Sequence, residues 1–313
     1  MTIHNPAMGP VKDPLAALLA HHGPAVLAMI VGVDGPSYRP VGAAMCVFPD
    51  GQRAGTLSSG CVEADIALHA LEALEQGRPR QIRYGRGSPF LDIQLPCGGG
   101  LDILLIPDPD RDVLSQLVKD RHARQVRVLE IDTASGAMRL ARAGEPGRDG
   151  DLFRTRYLPD IRFVTFGKGP EASTFAALVQ SAGYPNLILS PDHETLLDAA
   201  AHGCATRHLV VQEMPGDLDI DDRTAVILFF HDHDWEPPIL KGALETPAFY
   251  IGAQGSQRAR DARLLMLEAM GVPEAARARL FGPVGLIPSA RDAGTLAVSV
   301  LAEILAEAGA RGG

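Results

Sequence analysis

The chain has 313 residues, of which 46% are hydrophobic and 21% charged, with a formal net charge of −9. That length suits two domains of ordinary size, and that composition a soluble globular protein. The acidic balance excludes the basic, phosphate-neutralising footprint of a nucleic-acid binder.

The N-terminal MTIHNPAMGPVKDP lacks an apolar core of signal-peptide length. No uninterrupted apolar run reaches the ~18 residues of a spanning segment, so a cytoplasmic protein without membrane contact is expected. A helix is predicted over 12–22, then an apolar strand, AVLAMIVGV. The loop DGPSYRPVG leads to a second strand, AAMCVFP, and a DGQ hairpin. RAGTL, a Ser-Ser-Gly-Cys turn and a helix over 62–77 follow, the helix closing at Gly77. IRYG, LDIQLP and LDILLIP read as strands, with Pro96-Cys97-Gly98-Gly99-Gly100 as the turn between the last two. A helix over 112–124 and another strand pair complete this half. The stretch 141–160 is polar and glycine-rich, so the boundary is placed in it: a mixed α/β domain over 1–150 and a second domain over 151–313.

The second half alternates strands and helices. IRFVTFG, NLILS, RHLVV, TAVILFF and AFYIG are apolar strands. PEASTFAALVQSAG, HETLLDAAAHG and the closing LAVSVLAEILAEAG are helices. The alternation predicts a Rossmann-like, doubly wound parallel sheet.

Gly167-Lys168-Gly169-Pro170-Glu171-Ala172 is G-x-G-x-x-A after a strand and before a helix, the context of the dinucleotide fingerprint. Gly167 serves the tight turn, Gly169 a close approach of backbone to phosphate, and Asp192 the place of a ribose-binding acid. The alternative is a fold that has kept the turn without a nucleotide. His231-Asp232-His233-Asp234 ends the strand AVILFF; Trp235 and Glu236 break the H-x-H-x-D metallohydrolase pattern, leaving strand-end residues that line a ligand crevice. Gly255 and Ser256 suit a helix start, with Ser256 as cap and Arg258 beside exposed amides, an anion site or an ordinary capped helix.

The four cysteines (46, 61, 97 and 204) form no C-x-x-C pair, so neither a zinc knuckle nor a thioredoxin motif is present. Cys46 and Cys204 read as small buried hydrophobes. With Ser59 or Gly60 as cap, Cys61 falls in the first turn of a helix, where the dipole favours a thiolate: a nucleophile or a soft ligand for molybdenum or copper. Cys97 is a second thiol on a glycine-rich turn. Packing alone is the competing reading for Cys61.

In combination these stretches resemble the XdhC/CoxI family, accessory proteins of xanthine dehydrogenase-type molybdenum enzymes. Gly35, Arg39, Gly42, Ala43 and Met45 match its G-S-x-x-R-x-x-G-A-x-M pattern, and GTLSSGCVE its G-T-I-S-G-G-C-L-E. Cys97-Gly98-Gly99 before LDILLIP, the turn at Gly167 to Ala172, His231, the Gly255-Ser256-x-Arg258 turn and AVSVLAEIL follow in the family's order. Ser59, Pro36, Lys168 and Ala293-Gly294 depart from its usual residues.

The resemblance implies a chaperone that binds molybdenum cofactor, works with a cysteine desulfurase in its sulfuration, and passes it to an apo molybdenum hydroxylase. It implies Cys61 as the functional cysteine and metal ligand, Arg39, Gly60, Cys97, Gly98 and Gly99 around the molybdopterin, and a homodimer. Gly167, Gly169, Asp192, His231, Gly255, Ser256 and Arg258 would suit a dinucleotide form of the cofactor. An NAD(P)-dependent oxidoreductase with His231 as proton donor is the rival reading.

Overall fold

The computed structural model describes residues 13–58, 60, 62–88, 98–231 and 234–311. The chain divides into two compact units, one ending at Pro159 and the other beginning at Asp160.

The first unit runs α1 (Pro14–Ala20), β1 (Val26–Asp34), β2 (Ala44–Val47), β3 (Arg53–Gly55), α2 (Glu63–Gln76), β4 (Arg80–Gly85), β5 (Gly100–Pro107), α3 (Arg111–His122), β6 (Arg127–Asp132), β7 (Met138–Ala141), β8 (Gly147–Asp149) and β9 (Leu152–Tyr157). Local chemistry sets the helix ends. Asp13 accepts the amides of Leu15 and Ala16 ahead of α1, with Pro14 as its first residue. Gly77 closes α2 in the left-handed conformation. Among the described residues, one sheet has the order β3-β2-β1-β5-β4, and every pairing in it is antiparallel. Strand β1 is apolar on both faces. Val26, Ala28 and Ile30 pack with α2, whereas Leu27, Met29 and Val31 pack with α1, α3 and a second sheet.

That second sheet, β7-β6-β9-β8, draws strands from the stretch 141–160, and the boundary expected within that stretch falls after Pro159 and not at 150. Residues 152–157 form a central strand paired with β6 along its whole length, and Phe153 is wholly buried in the core. The first unit therefore continues past residue 150.

The second unit runs β10 (Arg162–Gly167), α4 (Pro170–Ser181), β11 (Asn186–Ser190), α5 (His193–Ala201), β12 (Ala205–His208), β13 (Thr224–Phe229), α6 (Glu236–Leu244), β14 (Tyr250–Ala253), α7 (Gln257–Ala269), α8 (Glu274–Arg277), β15 (Leu280–Phe281) and α9 (Ala293–Ala310). Its sheet, β12-β11-β10-β13-β14-β15, is parallel throughout. In chain order this is 3-2-1-4-5-6, the doubly wound order that places ligands at the carboxyl ends of the strands. Phe163, Phe229 and Tyr250 meet α4 and α9 on one face; Val164, Phe166 and Leu228 meet α6 and α7 on the other.

One expectation changes. The strand read as RHLVV stops at His208, and Val210 and Val211 are exposed. Helix α9 is long and apolar enough to cross a membrane by length and composition. It packs on the sheet through Ala297, Val300, Leu301 and Ile304.

Candidate functional site

In the first unit, the antiparallel register gathers the site residues at one edge of the sheet. Asp34, the end of β1, pairs with Gly100, the start of β5, and Gly100 also pairs with Gly85, the end of β4. Beside them β2 begins at Ala44 and β3 ends at Gly55, paired through Met45. The segments carrying Arg39, Gly60, and Gly98 with Gly99 thus all leave from this edge. Cys61 and Cys97 lie outside the described residues, as does Ser59.

Ahead of α2, Glu63 ties Thr56, Ser58 and Val62 together. Glu63 is 6% exposed. Its Oε1 accepts the Ser58 amide at 2.7 Å and lies 2.5 Å from the Thr56 hydroxyl, while Oε2 accepts the Val62 amide at 3.2 Å. Burial alone would raise the carboxyl pKa; the hydrogen bonds from Thr56 and from the Ser58 and Val62 amides outweigh it and hold it below the usual value. Gly55 is left-handed, and a Cβ there would meet Ala44 O at 2.6 Å. The helix begins at Glu63, two residues later than a cap at Gly60 requires and three later than a cap at Ser59. Val62 is the cap position of α2, without a side-chain cap bond, so the first turn starts at Glu63.

The glycine turn is built against the loop after β1. A Cβ on Gly99 would stand 2.1 Å from Pro36 O and 3.0 Å from Asp34 O. No larger residue lets these two backbones approach. Under the turn, Arg83 donates to Asp102 at 2.8 Å, to Asp34 at 3.3 Å and to Arg86 O at 2.8 Å. Around Gly60 and Gly98, by contrast, a Cβ would meet nothing within 4 Å. Arg39 is exposed and its guanidinium has no ion-pair partner among the described residues. Gly42, at φ +89°, holds that loop where the Thr155 hydroxyl fills the space of a side chain. The edge thus offers open backbone at Gly60 and Gly98 and an exposed guanidinium without an ion-pair partner among the described residues.

In the second unit, parallel strands bring Gly167, Asp192, His231 and Gly255 to one edge. Gly167 lies against β13, where a Cβ would meet Phe229 O at 2.6 Å, and the Lys168 amide donates to the same oxygen. The Gly169 amide, expected to face a phosphate, donates instead to the Thr195 hydroxyl at 2.9 Å. Thr195 in turn donates that hydroxyl to Asp192 Oδ2 at 2.6 Å. Asp192 is the N-cap of α5, and the same oxygen accepts the Thr195 amide at 2.9 Å. These bonds hold its carboxyl below the usual value. Glu171 Oε2 lies 3.7 Å from the Cβ position of Gly169 and 3.4 Å from His231 Nε2. A phosphate at this turn would meet a carboxylate and lose an amide donor. The NAD(P) reading gains nothing from this geometry.

Ser256 caps α7, accepting the Ala259 amide at 3.2 Å, and Arg258 is exposed. Below them, buried Arg263 and Glu236 form a two-bond ion pair at 2.6 and 3.0 Å, and Arg263 also donates to Gln254 O. Gly255 sits on that guanidinium, its Cβ position 3.0 Å from Nη2.

Models of the XdhC and CoxI family and of the XdhC Rossmann domain match residues 18–85 and 163–304. The Escherichia coli (strain K12) molybdenum cofactor insertion chaperone PaoD is 37% identical over 289 residues, covering 92% of this chain and 84% of PaoD. The chain belongs to the XdhC and CoxI family. A probable xanthine dehydrogenase subunit of Bacillus subtilis (strain 168) is 26% identical, over 95% of this chain and 97% of that protein. A solved structure titled as a xanthine dehydrogenase from Bacillus halodurans superposes with a TM-score of 0.76 at 23% identity, covering 95% of each chain. It shares the fold.

Within this XdhC and CoxI chain, Asp292 caps α9 by accepting the Thr295 amide at 2.7 Å, so Ala293-Gly294 form an ordinary first turn. Cys46 and Cys204 are buried, and burial pushes both thiols up to about 11. Sequence reading missed Glu63 as the organiser of its turn and missed the Arg263–Glu236 pair. An acid at the first position of a helix carries no mark of facing inward. Residues 27 apart carry no mark of pairing.

Proposed function

We propose that this chain carries molybdenum cofactor to an apo molybdenum hydroxylase of the xanthine dehydrogenase type, as a maturation factor in the cytoplasm. The observation that carries the reading is the 37% identity to a molybdenum cofactor insertion chaperone across 92% of the chain. The sheet edge of the first unit supports it, because the segments with Arg39, Gly60 and Gly98-Gly99 leave from one side. In this reading the cofactor is cargo. Arg39 and exposed glycine amides receive its phosphate. Cys61 faces the molybdenum as a soft ligand, with Cys97 on the neighbouring turn. We further propose that a cysteine desulfurase supplies the sulfido sulfur while the cofactor is held, and that the working form is a homodimer.

The test is molybdenum and pterin analysis of the full chain purified anaerobically from cofactor-producing cells, for wild type and Cys61→Ala. The reading expects both in wild type and loss of molybdenum in the variant with the fold intact. Wild-type protein free of molybdenum and pterin would remove the carrier role; unchanged retention in Cys61→Ala would remove the thiol from it.

A further inference from the structure

Three side-chain oxygens near one edge of the second unit are buried and accept no hydrogen bond among the described residues: Thr165 Oγ1, Gln254 Oε1 and Glu171 Oε2, the last with only the 3.4 Å ion-pair contact to His231 Nε2. They come from three segments. Thr165 is wholly buried on β10, two residues before Gly167. Glu171 opens α4. Gln254 follows β14, its amide extending the parallel ladder to Leu228 O at 2.9 Å. Strands β10, β13 and β14 are consecutive in the sheet, so their carboxyl ends are neighbours. Phe163 and Tyr250 enter the core on the α4 and α9 face. By the two-residue period of a strand, Thr165 and Gln254 share that face, which is the one α4 covers. His231 closes the group beside Glu171, at 3.4 Å.

Buried acceptors without donors are uncommon and costly. Here they recur on one face, at the edge where this fold takes ligands. A phosphate is a poor occupant, since Glu171 repels it and the Gly169 amide is already bonded to Thr195. The complement of such oxygens is a ligand that donates. A ring N–H beside an exocyclic NH2 presents two parallel donors, which a carboxylate accepts side by side. That is the 2-amino-4-oxopyrimidine edge shared by pterins and guanine. Cytosine presents one amino donor next to an acceptor and matches less well.

We propose that Glu171 and Gln254 form a subsite for a 2-amino-4-oxopyrimidine edge at the carboxyl ends of β10 and β14, with His231 beside it. The inference rests on the reading of the chain as a carrier of a pterin-based cofactor, and assigns the second unit the heterocycle in place of a pyrophosphate. It also accounts for a Rossmann turn whose central amide is taken by the protein's own threonine.

The test is calorimetric titration of the full chain with neopterin, guanosine, cytidine and ADP. Neopterin is expected to bind, with affinity about tenfold or more lower in Glu171→Gln and reduced severalfold in Gln254→Leu, the scale of losing a hydrogen bond to a charged and to a neutral acceptor. Cytidine and ADP are expected not to bind. Guanosine binding with the same dependence, without neopterin binding, would support the subsite and name a base as its occupant. Binding of neither, equal affinity in folded variants, or tighter binding of ADP would overturn it. Neither side chain makes a hydrogen bond through the oxygen concerned, and circular dichroism checks the fold. Molybdenum and pterin content measured on the same wild-type preparation separates the two ideas. If both are present while the variants bind neopterin normally, the subsite fails and the carrier reading stands; if both are absent, the carrier reading fails.

Discussion

Replacing Glu63 by Gln tests whether an internal carboxylate holds the segment before α2. The substitution keeps the shape and one acceptor oxygen. It turns the other oxygen into an NH2 facing either the Val62 amide or the Ser58 amide and Thr56 hydroxyl. A hydrogen bond to a charged group is worth about 1.5–3 kcal/mol, and a buried donor left unpaired costs about 1–3 kcal/mol. With part of the second cost relieved by local movement, the net loss is about 3 kcal/mol. At about 2–4 °C per kcal/mol for a unit of this size, the midpoint falls by about 6–12 °C. Differential scanning calorimetry of the full chain, resolving the first unit's transition, measures it. The pH dependence has a fixed sign. Because the native carboxyl lies below its ordinary value, its contribution is full above that ordinary value and drains away as pH falls through the native one. The gap between wild type and variant should therefore narrow in acid. A midpoint within about 1 °C of wild type at neutral pH, or a gap that widens in acid, refutes the reasoning.

Gly99→Ala places a Cβ 2.1 Å from Pro36 O, where both partners are backbone, so it should destabilise by about 1–3 kcal/mol and lower cofactor retention; thermal melting and metal analysis check it. Arg263→Ala takes the two-bond guanidinium from buried Glu236 and should cost about 3–5 kcal/mol in denaturant unfolding, while the double variant Arg263→Met with Glu236→Leu recovers much of it. Cys46 and Cys204 should resist Ellman's reagent in the native protein at mildly alkaline pH and react on unfolding. Their thiol pKa values, raised by burial to about 11, also mean that stability is full below the ordinary thiol value and is lost as pH rises toward about 11. Native labelling of Cys46, read by peptide mass mapping, would contradict this.

The sequence made the second unit readable because buried parallel strands are unbroken apolar runs bounded by turns, as in IRFVTFG and TAVILFF. The glycines were also legible. Gly35, Gly42, Gly60, Gly98 and Gly169 all take positive φ, a demand only local geometry makes. What stayed hidden depends on distance in the chain. The strand Leu152–Tyr157 is half polar, with Arg154 and Arg156 alternating against buried Phe153 and Thr155, and it lies in a glycine-rich stretch. Its partner β6 is the reason it is a strand. Asp192 stands where a ribose-binding acid belongs by spacing, yet spacing does not reveal that Thr195 holds its Oδ2. The apolar Val210 and Val211 looked like strand and are surface, because pairing with β11 ends at His208.

Thr155 occupies the volume that a side chain on residue 42 would need, and it belongs to a strand from the far end of the same unit. The loop bearing Arg39 is therefore seated on residues more than a hundred positions downstream. Any dissection of the protein into separately expressed halves has to respect that dependence. A fragment stopped at 150 would lack the floor beneath the Arg39 loop, whereas one carried through Pro159 keeps it.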